Sequence, residues 1–169
     1  DRELSDRIGR EIDNVFVSKP VVDRKMRLWF TTTKKVLMCI DLNDIKTCDF
    51  DVTPAAQAIL DISTVTELLE TEKGILIGTN NGLLMYDEEE NVVHEFPIPS
   101  SHLCIRSLLR TTDGRILIGT DGRGVWEYAN GKGYQQTRVL TYSVSGGLLG
   151  LGIGNGELRN IFAATEDLI

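Results

Sequence analysis

The sequence contains little of what several common protein classes require. Only two histidines and three cysteines occur among its 169 residues, and no two cysteines have the spacing of a zinc ribbon. Lysine and arginine number 18 against 25 aspartates and glutamates, which gives a formal net charge of −7. No apolar run approaches the roughly 20 residues of a membrane-spanning helix. We therefore expect no metal site, no nucleic acid partner and no direct contact between this chain and a membrane.

A catalytic constellation is also absent from the sequence. No serine has the context of a nucleophile elbow, and His94 and His102 are expected to be surface or structural residues. Residues 87–90 are consecutive carboxylates, which favours a solvated hairpin turn over the spaced pair of a glycosidase. The alternating glycines of residues 150–156 match neither a dinucleotide fingerprint nor a phosphate-binding loop. We expect no catalytic residue and no cofactor, so the chain is not predicted to be an enzyme.

What the sequence does contain is an internal repeat. Residues 64–79 recur as residues 104–120 with one inserted residue, and residues 82–86 recur as residues 124–128. A weaker copy lies upstream, and a further copy begins near the end of the sequence. Repeats of this kind indicate stacked units, each of which buries its faces against its neighbours.

The repeat length predicts the fold. Thr32, Thr79 and Thr120 mark the register and are separated by 47 and 41 positions, near the roughly 40–50 residues of a four-stranded propeller blade. We predict an all-β, open or partial β-propeller of about three four-stranded antiparallel blades and a truncated fourth. The blades are placed at residues 11–53, 62–98 and 103–140, with the stub at residues 157–169.

Short strands between turn signals are predicted within each copy. Turn dipeptides such as Asp113-Gly114 tolerate the positive φ of tight hairpins. A proline followed by alanines favours a short helix at residues 54–60. The predicted strands are residues 65–70, 75–79, 83–86 and 92–96 in the second copy, and residues 105–110, 115–120, 125–128 and 134–139 in the third.

Two of the cysteines have a predictable relation. If Asn43 and Asp44 form a two-residue hairpin turn, counting outward along both strands places Cys39 opposite Cys48. The two side chains are then either core thiols or a cross-strand disulfide, and the sequence leaves both alternatives open.

A glycine–threonine pair recurs in two copies, at Gly78-Thr79 and at Gly119-Thr120. One interpretation places these pairs around a ligand channel. The favoured one is packing, because glycine permits close approach of neighbouring blades and a threonine hydroxyl can satisfy a backbone group. Four apolar residues just before the pairs are expected to be buried between blades: Leu76, Ile77, Leu117 and Ile118.

Two segments resemble the two-component regulator propeller repeat: Gly-Ile-Leu-Ile-Gly-Thr-Asn-Asn-Gly-Leu at residues 74–83, and Gly-Arg-Ile-Leu-Ile-Gly-Thr-Asp-Gly-Arg-Gly-Val at residues 114–125. The tryptophan of the family motif is present as Trp29 and is replaced by Leu76 and Leu117. The resemblance implies the periplasmic sensing region of a hybrid two-component system. In such systems the detection of polysaccharide fragments is passed to a histidine kinase, which would lie elsewhere in the parent protein.

The resemblance implies an oligosaccharide ligand, with contacts expected on turns that differ between copies. Candidate ligand-binding residues are Asn80 and Asn81 in one turn and Asp121 and Arg123 in the next, with Trp126 and Trp29 as stacking surfaces. The alternative is that the polar residues only form the turns and that both tryptophans are core.

Three blades and a stub do not close a ring, so exposed strand edges and blade faces need cover. We expect either further blades of a longer parent chain or self-association, with two copies closing a ring of about seven blades. The leading functional expectation is a ligand-sensing or scaffolding part of a two-component receptor. The alternative is a protein-interaction propeller without a signalling role. A propeller lyase or hydrolase is disfavoured by the missing catalytic residues.

Overall fold

Thirteen strands and one helix lie within the part of the chain that the structure describes. The structure is a computed structural model, and it describes residues 19–32, 37–96, 98, 102–121, 123, 125–129 and 133–135. The strands form three sheets that follow one another along the chain. The stub expected at residues 157–169, the start of the first predicted blade and the end of the third lie outside the described residues.

The first sheet is an antiparallel meander of β1 (Val21–Val22), β2 (Arg27–Thr31), β3 (Leu37–Asp41) and β4 (Lys46–Thr47). The β3–β4 register pairs Ile40 with Thr47, and the amide of Cys48 donates to the carbonyl of Cys39 at 2.9 Å. The predicted opposition of the two cysteines is confirmed. Both are free thiols, which agrees with the core-thiol alternative.

The second sheet has four antiparallel strands and one parallel strand at its edge. The antiparallel strands are β6 (Val65–Glu70), β7 (Gly74–Thr79), β8 (Gly82–Asp87) and β9 (Val92–Glu95), and β5 (Asp51–Val52) pairs in parallel with β9. The four antiparallel strands lie where the sequence predicted them, whereas the parallel strand was not predicted. Residues 51–52 were expected to end the first blade, but they pair with the second sheet.

Helix α1 (Pro54–Ile62) lies between β5 and β6, which form the two opposite edges of the second sheet. The side chain of Thr53 caps the helix by accepting a hydrogen bond from the amide of Ala56 at 3.3 Å. Pro54 lies in the first turn, where a backbone donor is not needed. Ala56 and Leu60 are the buried residues of the helix. The short helix predicted from residue 54 is confirmed, and it ends at Ile62 rather than at residue 60.

The third sheet repeats the antiparallel meander of the second. Its strands are β10 (Ile105–Arg110), β11 (Ile116–Thr120), β12 (Val125–Ala129) and β13 (Gly133–Gln135). The β6–β7 and β10–β11 pairs share a register irregularity, between Val65 and Glu67 in one and between Ile105 and Ser107 in the other. The backbone of the repeat is therefore reproduced down to a bulge-like detail.

The three sheets pack face to face through two hydrophobic cores. Successive residues of β7 point to opposite faces, so Ile77 joins the core with the first sheet and Leu76 joins the core with the third. Both side chains are buried, as predicted, and so is Ile118. Leu117, on the face of β11 away from the second sheet, is only half-buried.

Gly78 lies at a close approach of the second and third sheets. A β-carbon built there would lie 2.8 Å from Cγ2 of Ile105, well inside the optimal separation of non-bonded carbons. The hydroxyl of Thr66 donates to the carbonyl of Ile105 at 2.7 Å, and that of Thr79 donates to the carbonyl of Gly82 at 2.9 Å. The packing interpretation of the Gly78-Thr79 pair is confirmed.

Antiparallel meanders that stack face to face in chain order are the blades of a β-propeller. The described residues form three such sheets, and the all-β open propeller predicted from the repeat is confirmed. Within the described ranges, no helix is long and apolar enough to cross a membrane.

Candidate functional site

The first residue of each predicted ligand turn is held by the backbone. The amide of Asn80, between β7 and β8, donates to the carbonyl of Thr64 at 3.1 Å, and the Asn80 Oδ1 accepts from the amide of Thr64 at 2.9 Å. The amide of Asp121, after β11, donates to the carbonyl of Cys104 at 2.9 Å. Its carboxylate pairs with Arg106 at 2.6 Å. Both side chains therefore already stabilise the fold.

The later residues of the two turns differ, since Asn81 is half-buried and Arg123 is exposed. Asn81 Oδ1 lies 2.9 Å from Nδ1 of His102, which joins the turn to the segment that leads into the third sheet. In the described part of the chain no hydrogen bond or ion pair joins one turn to the other. The four polar residues therefore do not form one bonded cluster.

Both tryptophans proposed as stacking surfaces are core residues. Trp29 is fully buried and Trp126 is 7% exposed, and they belong to the first and the second hydrophobic core respectively. Trp126 Nε1 is buried without a hydrogen-bond acceptor among the described residues. Neither ring presents an open face to a ligand.

A cavity of about 460 Å³ lies between the second and third sheets, at the opposite ends of β7 and β11 from the predicted turns. Its rim consists of residues 71–73, residues 113–115 and Arg110. The volume lies within the roughly 300–1,000 Å³ of small-molecule sites. None of the predicted ligand residues lines it. The residue inserted in the third repeat copy lies within the rim segment 113–115 or next to it. It is the sequence signal that could have indicated the cavity.

The walls of the cavity are apolar. Leu76 and Met85 are cross-strand partners on the second sheet, and Ile116 and Tyr128 are cross-strand partners on the third. All four line the cavity together with Phe96, whose ring lies 5.1 Å from that of Tyr128 in an edge-to-face arrangement. The cavity therefore offers a surface on which a flat apolar group can pack.

One arginine at the rim is neutralised by its neighbours. Arg115 Nε lies 2.7 Å from Asp113, and its Nη1 lies 3.2 Å from Glu127. A hydrogen bond from the hydroxyl of Thr111 and a smaller contribution from Arg115 stabilise the carboxylate of Asp113 and hold its pKa below the usual value. The charged groups in this part of the rim are paired with one another, so they offer little to a ligand.

Two other cations at the rim lack such neighbours. The side chains of Lys73 and Arg110 are exposed, and neither has a hydrogen bond or ion pair with the described part of the chain. Glu72, the adjacent carboxylate, is exposed as well. The cavity therefore combines apolar walls with two available positive groups at its mouth.

The equivalent region between the first and second sheets is filled. Arg27 Nε lies 2.7 Å from Asp23, its Nη1 donates to the hydroxyl of Tyr86 at 3.0 Å, and its Nη2 pairs with Glu88. The guanidinium carbon lies 5.6 Å from the ring centroid of Trp29 and 5.4 Å from that of Tyr86. Trp29 Nε1 donates to Asp23 at 2.9 Å. We call these five residues the Arg27 cluster.

The Arg27 cluster shifts the pKa of both of its central charges. Burial raises the pKa of Asp23, but hydrogen bonds from Trp29 and Arg27 together with the charge of Arg27 outweigh it, so the pKa lies below its usual value. Burial lowers the pKa of Arg27, and the hydrogen bond and charge of Asp23 raise it by more. Both groups stay charged at neutral pH, which favours a structural over an acid–base role.

Metal and thiol chemistry have little support in the described residues. No group of three histidine, cysteine, aspartate or glutamate side chains there could hold a metal ion. Burial, and to a smaller extent a hydrogen bond with Cys48, raises the pKa of Cys39 far above its usual value. Since the thiolate is the reactive form, Cys39 is an inert core residue.

Neither a family model nor a curated protein matches this sequence. Solved structures do match. Two crystal structures of an extracellular domain from B. thetaiotaomicron, assigned in one to a one-component system and in the other to a hybrid two-component system, align with TM-scores of 0.68 and 0.65. Both are 20% identical to this chain, covering 96% and 91% of it and 20% of their own length. The extracellular domain assigned to another hybrid two-component system of that organism aligns with a TM-score of 0.53. It is 24% identical to this chain, and the alignment covers 70% of this chain and 16% of the length of that domain.

An enzyme matches as well. A catalytically inactive virginiamycin B lyase from Staphylococcus aureus, crystallised with quinupristin, aligns with a TM-score of 0.52 and 17% identity over 69% of this chain and 39% of its own. The likeness is one of fold. The resemblance predicted from the repeat motif is confirmed at that level, and the chain spans 20% of the length of the extracellular domains that align with most of it.

Proposed function

We propose that this chain is part of the ligand-sensing region of an extracytoplasmic receptor of the two-component type. The observation that carries the proposal is the fold match to an extracellular domain over 96% of this chain, together with the repeat motif at residues 74–83 and 114–125. Stacked blades provide a rigid scaffold whose turns and clefts can bind a ligand. In this proposal the chain lies in the periplasm, and its parent protein carries the histidine kinase.

An oligosaccharide is the ligand that we propose for the two turns that contain Asn80, Asn81, Asp121 and Arg123. Amide, carboxylate and guanidinium groups supply the donors and acceptors that sugar hydroxyls require. Arg123 is the strongest candidate, because it is exposed, whereas the side chains of Asn80, Asn81 and Asp121 already bond to their own surroundings. Trp126, which is buried, supports these turns by packing in this proposal.

Further blades of the parent protein are the partner that we propose for the third sheet. Leu109 and Leu117 are cross-strand neighbours and are only half-buried on the face away from the second sheet. Additional blades are supported by the similar extracellular domains, of which this chain spans 20%. Self-association of two copies is the alternative. Sedimentation that finds a folded monomer at high dilution would remove that alternative.

The test is made in the full-length parent protein, with a reporter of its transcriptional output and a panel of oligosaccharides. We expect a response to one glycan class, and a sensitivity at least about fivefold lower in the Asn81→Ala/Arg123→Ala variant because polar contacts of about 1 kcal/mol are lost. Asn43→Ala removes an exposed asparagine from the β3–β4 turn. It is the matched control and is expected to respond like the unaltered receptor.

Three outcomes would count against parts of this proposal. A parent reading frame without a membrane span and a signalling module would contradict the sensor role and favour the protein-interaction propeller. A parent that signals to another stimulus and to no glycan would contradict the oligosaccharide alone. Cleavage of a substrate by the purified chain would favour an enzyme, since the virginiamycin B lyase has a similar fold.

A further inference from the structure

The two inter-sheet interfaces differ at two equivalent positions of the repeat. The β2–β3 and β7–β8 pairs have the same register, in which Trp29 corresponds to Leu76 and Arg27 to Gly74. Trp29 and Arg27 contact the second sheet at Tyr86, and Leu76 packs against the third sheet. The second interface therefore has a leucine and a glycine where the first has an indole and a guanidinium.

The smaller side chains at these two positions contribute to the cavity. Gly74 has a φ of +145°, and a β-carbon there would lie 2.0 Å from the carbonyl oxygen of Tyr86, so that position accepts no side chain. Leu76 lines one wall of the resulting space and Tyr128 lines the other. In the first interface the ring of Trp29 lies 4.4 Å from that of Tyr86, which is the repeat equivalent of Tyr128. A flat ring therefore has the shape that fits this space.

The rim determines the charge that such a ligand should carry. Arg115 is occupied by Asp113, whereas Lys73 and Arg110 have no side-chain partner within the described ranges. Among the residues that line the cavity, Lys73, Arg110 and Arg115 are three cations against the two carboxylates of Glu72 and Asp113. Glu127, which also pairs with Arg115, is not part of this lining. The protein as a whole carries a net charge of −7, whereas the residues that line the cavity carry one positive charge in excess. A carboxylate at the rim gains charge-assisted hydrogen bonds from Lys73 and Arg110.

We propose that the cavity between the second and third sheets binds a small aromatic carboxylate. The ring lies against Phe96 and Tyr128, above the buried Leu76, in the place that the indole of Trp29 takes in the first interface. The carboxylate contacts Lys73 and Arg110. This binding property goes beyond the sensor role, because it depends on the cavity and not on what the parent protein does.

The test is a titration of the isotope-labelled chain with indole-3-propionate and with tryptamine, followed by NMR shifts of the backbone amides. The two probes share the indole ring and a two-carbon linker and differ in the sign of their charge. We expect indole-3-propionate to bind with a dissociation constant of about a millimolar, as suits a ligand of its size. We expect it to bind about three- to tenfold more tightly than tryptamine, with the largest shifts at residues 71–76 and 113–116.

Charge variants separate the rim from the apolar walls. Lys73→Ala and Arg110→Ala are each expected to weaken the binding of indole-3-propionate about two- to fivefold without weakening the binding of tryptamine. Glu72→Gln is expected to strengthen the binding of indole-3-propionate about twofold. Lys46→Ala removes an exposed lysine from the first sheet. It is the matched control and is expected to leave both affinities unchanged.

A cavity-filling variant tests the walls. Leu76→Trp places in the cavity the side chain that the first interface already has, and it is expected to abolish binding of both probes in a chain that circular dichroism finds folded. Equal affinities for the two probes, shifts that lie away from the cavity, or no saturable shift up to the solubility limit would each overturn the proposal. None of these outcomes affects the sensor role, which rests on the fold.

Discussion

The two inter-sheet interfaces are built on the same backbone register and are packed in different ways. In the first, Arg27 reaches Tyr86 and Glu88, and the rings of Trp29, Phe50 and Tyr86 lie 4.4–6.0 Å apart. In the second, mostly apolar contacts leave a cavity of about 460 Å³. The difference teaches that a repeat keeps its backbone while a few side chains decide whether an interface is a solid core or a cleft.

Exposed ion pairs contribute little to this difference. Arg24 Nε lies 3.2 Å from Glu70 and its Nη2 donates to the carbonyl of Thr71, and Lys19 pairs with Glu67 at 3.1 Å, all between the first and second sheets. Lys19 and Arg24 are largely exposed, and such pairs are each worth at most about 1 kcal/mol. We therefore expect the Arg27 cluster to contribute more to the stability of the first interface than these exposed pairs do.

The largest effect is expected from Arg27→Met. Methionine keeps an apolar stem but removes the cation, so Asp23 stays buried without its partner, and the free energy of unfolding should fall by about 3–4 kcal/mol. Urea denaturation followed by circular dichroism measures the change. Arg115→Met alters the equivalent arginine of the third sheet, which is half-exposed, and should cost less than about 1 kcal/mol. Similar losses in both variants would remove the distinction between the interfaces.

The next largest effect is expected from Trp29→Leu, which gives the first interface the residue of the second. Loss of a fully buried indole and of its hydrogen bond to Asp23 should lower the free energy of unfolding by about 2–3 kcal/mol. Millimolar indole should restore part of the loss by binding the new space. Thermal unfolding with and without indole measures both. A variant as stable as the natural chain would mean that the first interface does not depend on the indole.

A smaller effect is expected from Gly78→Ala, which tests the close approach of the second and third sheets. The new β-carbon meets Ile105 of the third sheet, so the free energy of unfolding should fall by about 1–2 kcal/mol. Ile105→Ala removes the clashing methyl group. In the double variant the alanine at position 78 should cost about 1 kcal/mol less than it does alone. Simple additivity of the two changes would contradict the close approach.

The last prediction concerns the pH dependence of stability. The pKa of Asp23 is lowered in the folded protein, so its contribution is fully present above its ordinary value near about 4 and is lost as the pH falls through the lowered value. Asp23→Asn should therefore be less stable than the natural chain at pH 7 and approach it below about pH 4. Urea denaturation across this range measures the difference. Asp44 is an exposed carboxylate, and Asp44→Asn is the control. We expect it to change the free energy of unfolding by less than about 0.5 kcal/mol at any pH.

The strands were predictable because local chemistry marks their ends. The predicted strands of the second and third copies agree with the structure to within one residue wherever both ends are described. Asp113-Gly114 was predicted as a tight turn, and Gly114 has a φ of +83° there. The Cys39–Cys48 register followed from counting outward from a turn. Each of these features is settled by neighbours in the sequence.

Features that depend on distant neighbours were not predictable. β5 is two residues long and has no pattern of its own, so its parallel pairing with β9 needs the packed structure. Glu88 belongs to the acidic turn that was expected to be solvated, yet it pairs with Arg27, which lies 61 positions away, and with Lys25. The sequence indicates which groups are charged but not which of them the fold brings together.

The cavity is also a feature that depends on residues far apart in the sequence. The replacement of Trp29 by Leu76 is visible in the repeat, but its consequence depends on which face of β7 meets the third sheet. The predicted ligand residues were chosen on turns that differ between copies. The same rule, applied to the inserted residue within residues 111–115, points to the rim of the cavity. Side-chain volume at an interface has to be compared across the packed sheets before such a space can be recognised.

The central claim is that the second interface has a cavity because a leucine replaces an indole, and Leu76→Trp tests it most directly. Urea denaturation should find the variant as stable as the natural chain or more stable by up to about 1 kcal/mol, because the new ring buries apolar surface in existing space. A loss of more than about 1 kcal/mol is the mark of an overpacked core. That result would mean that the interface is already closed, and it would contradict the claim.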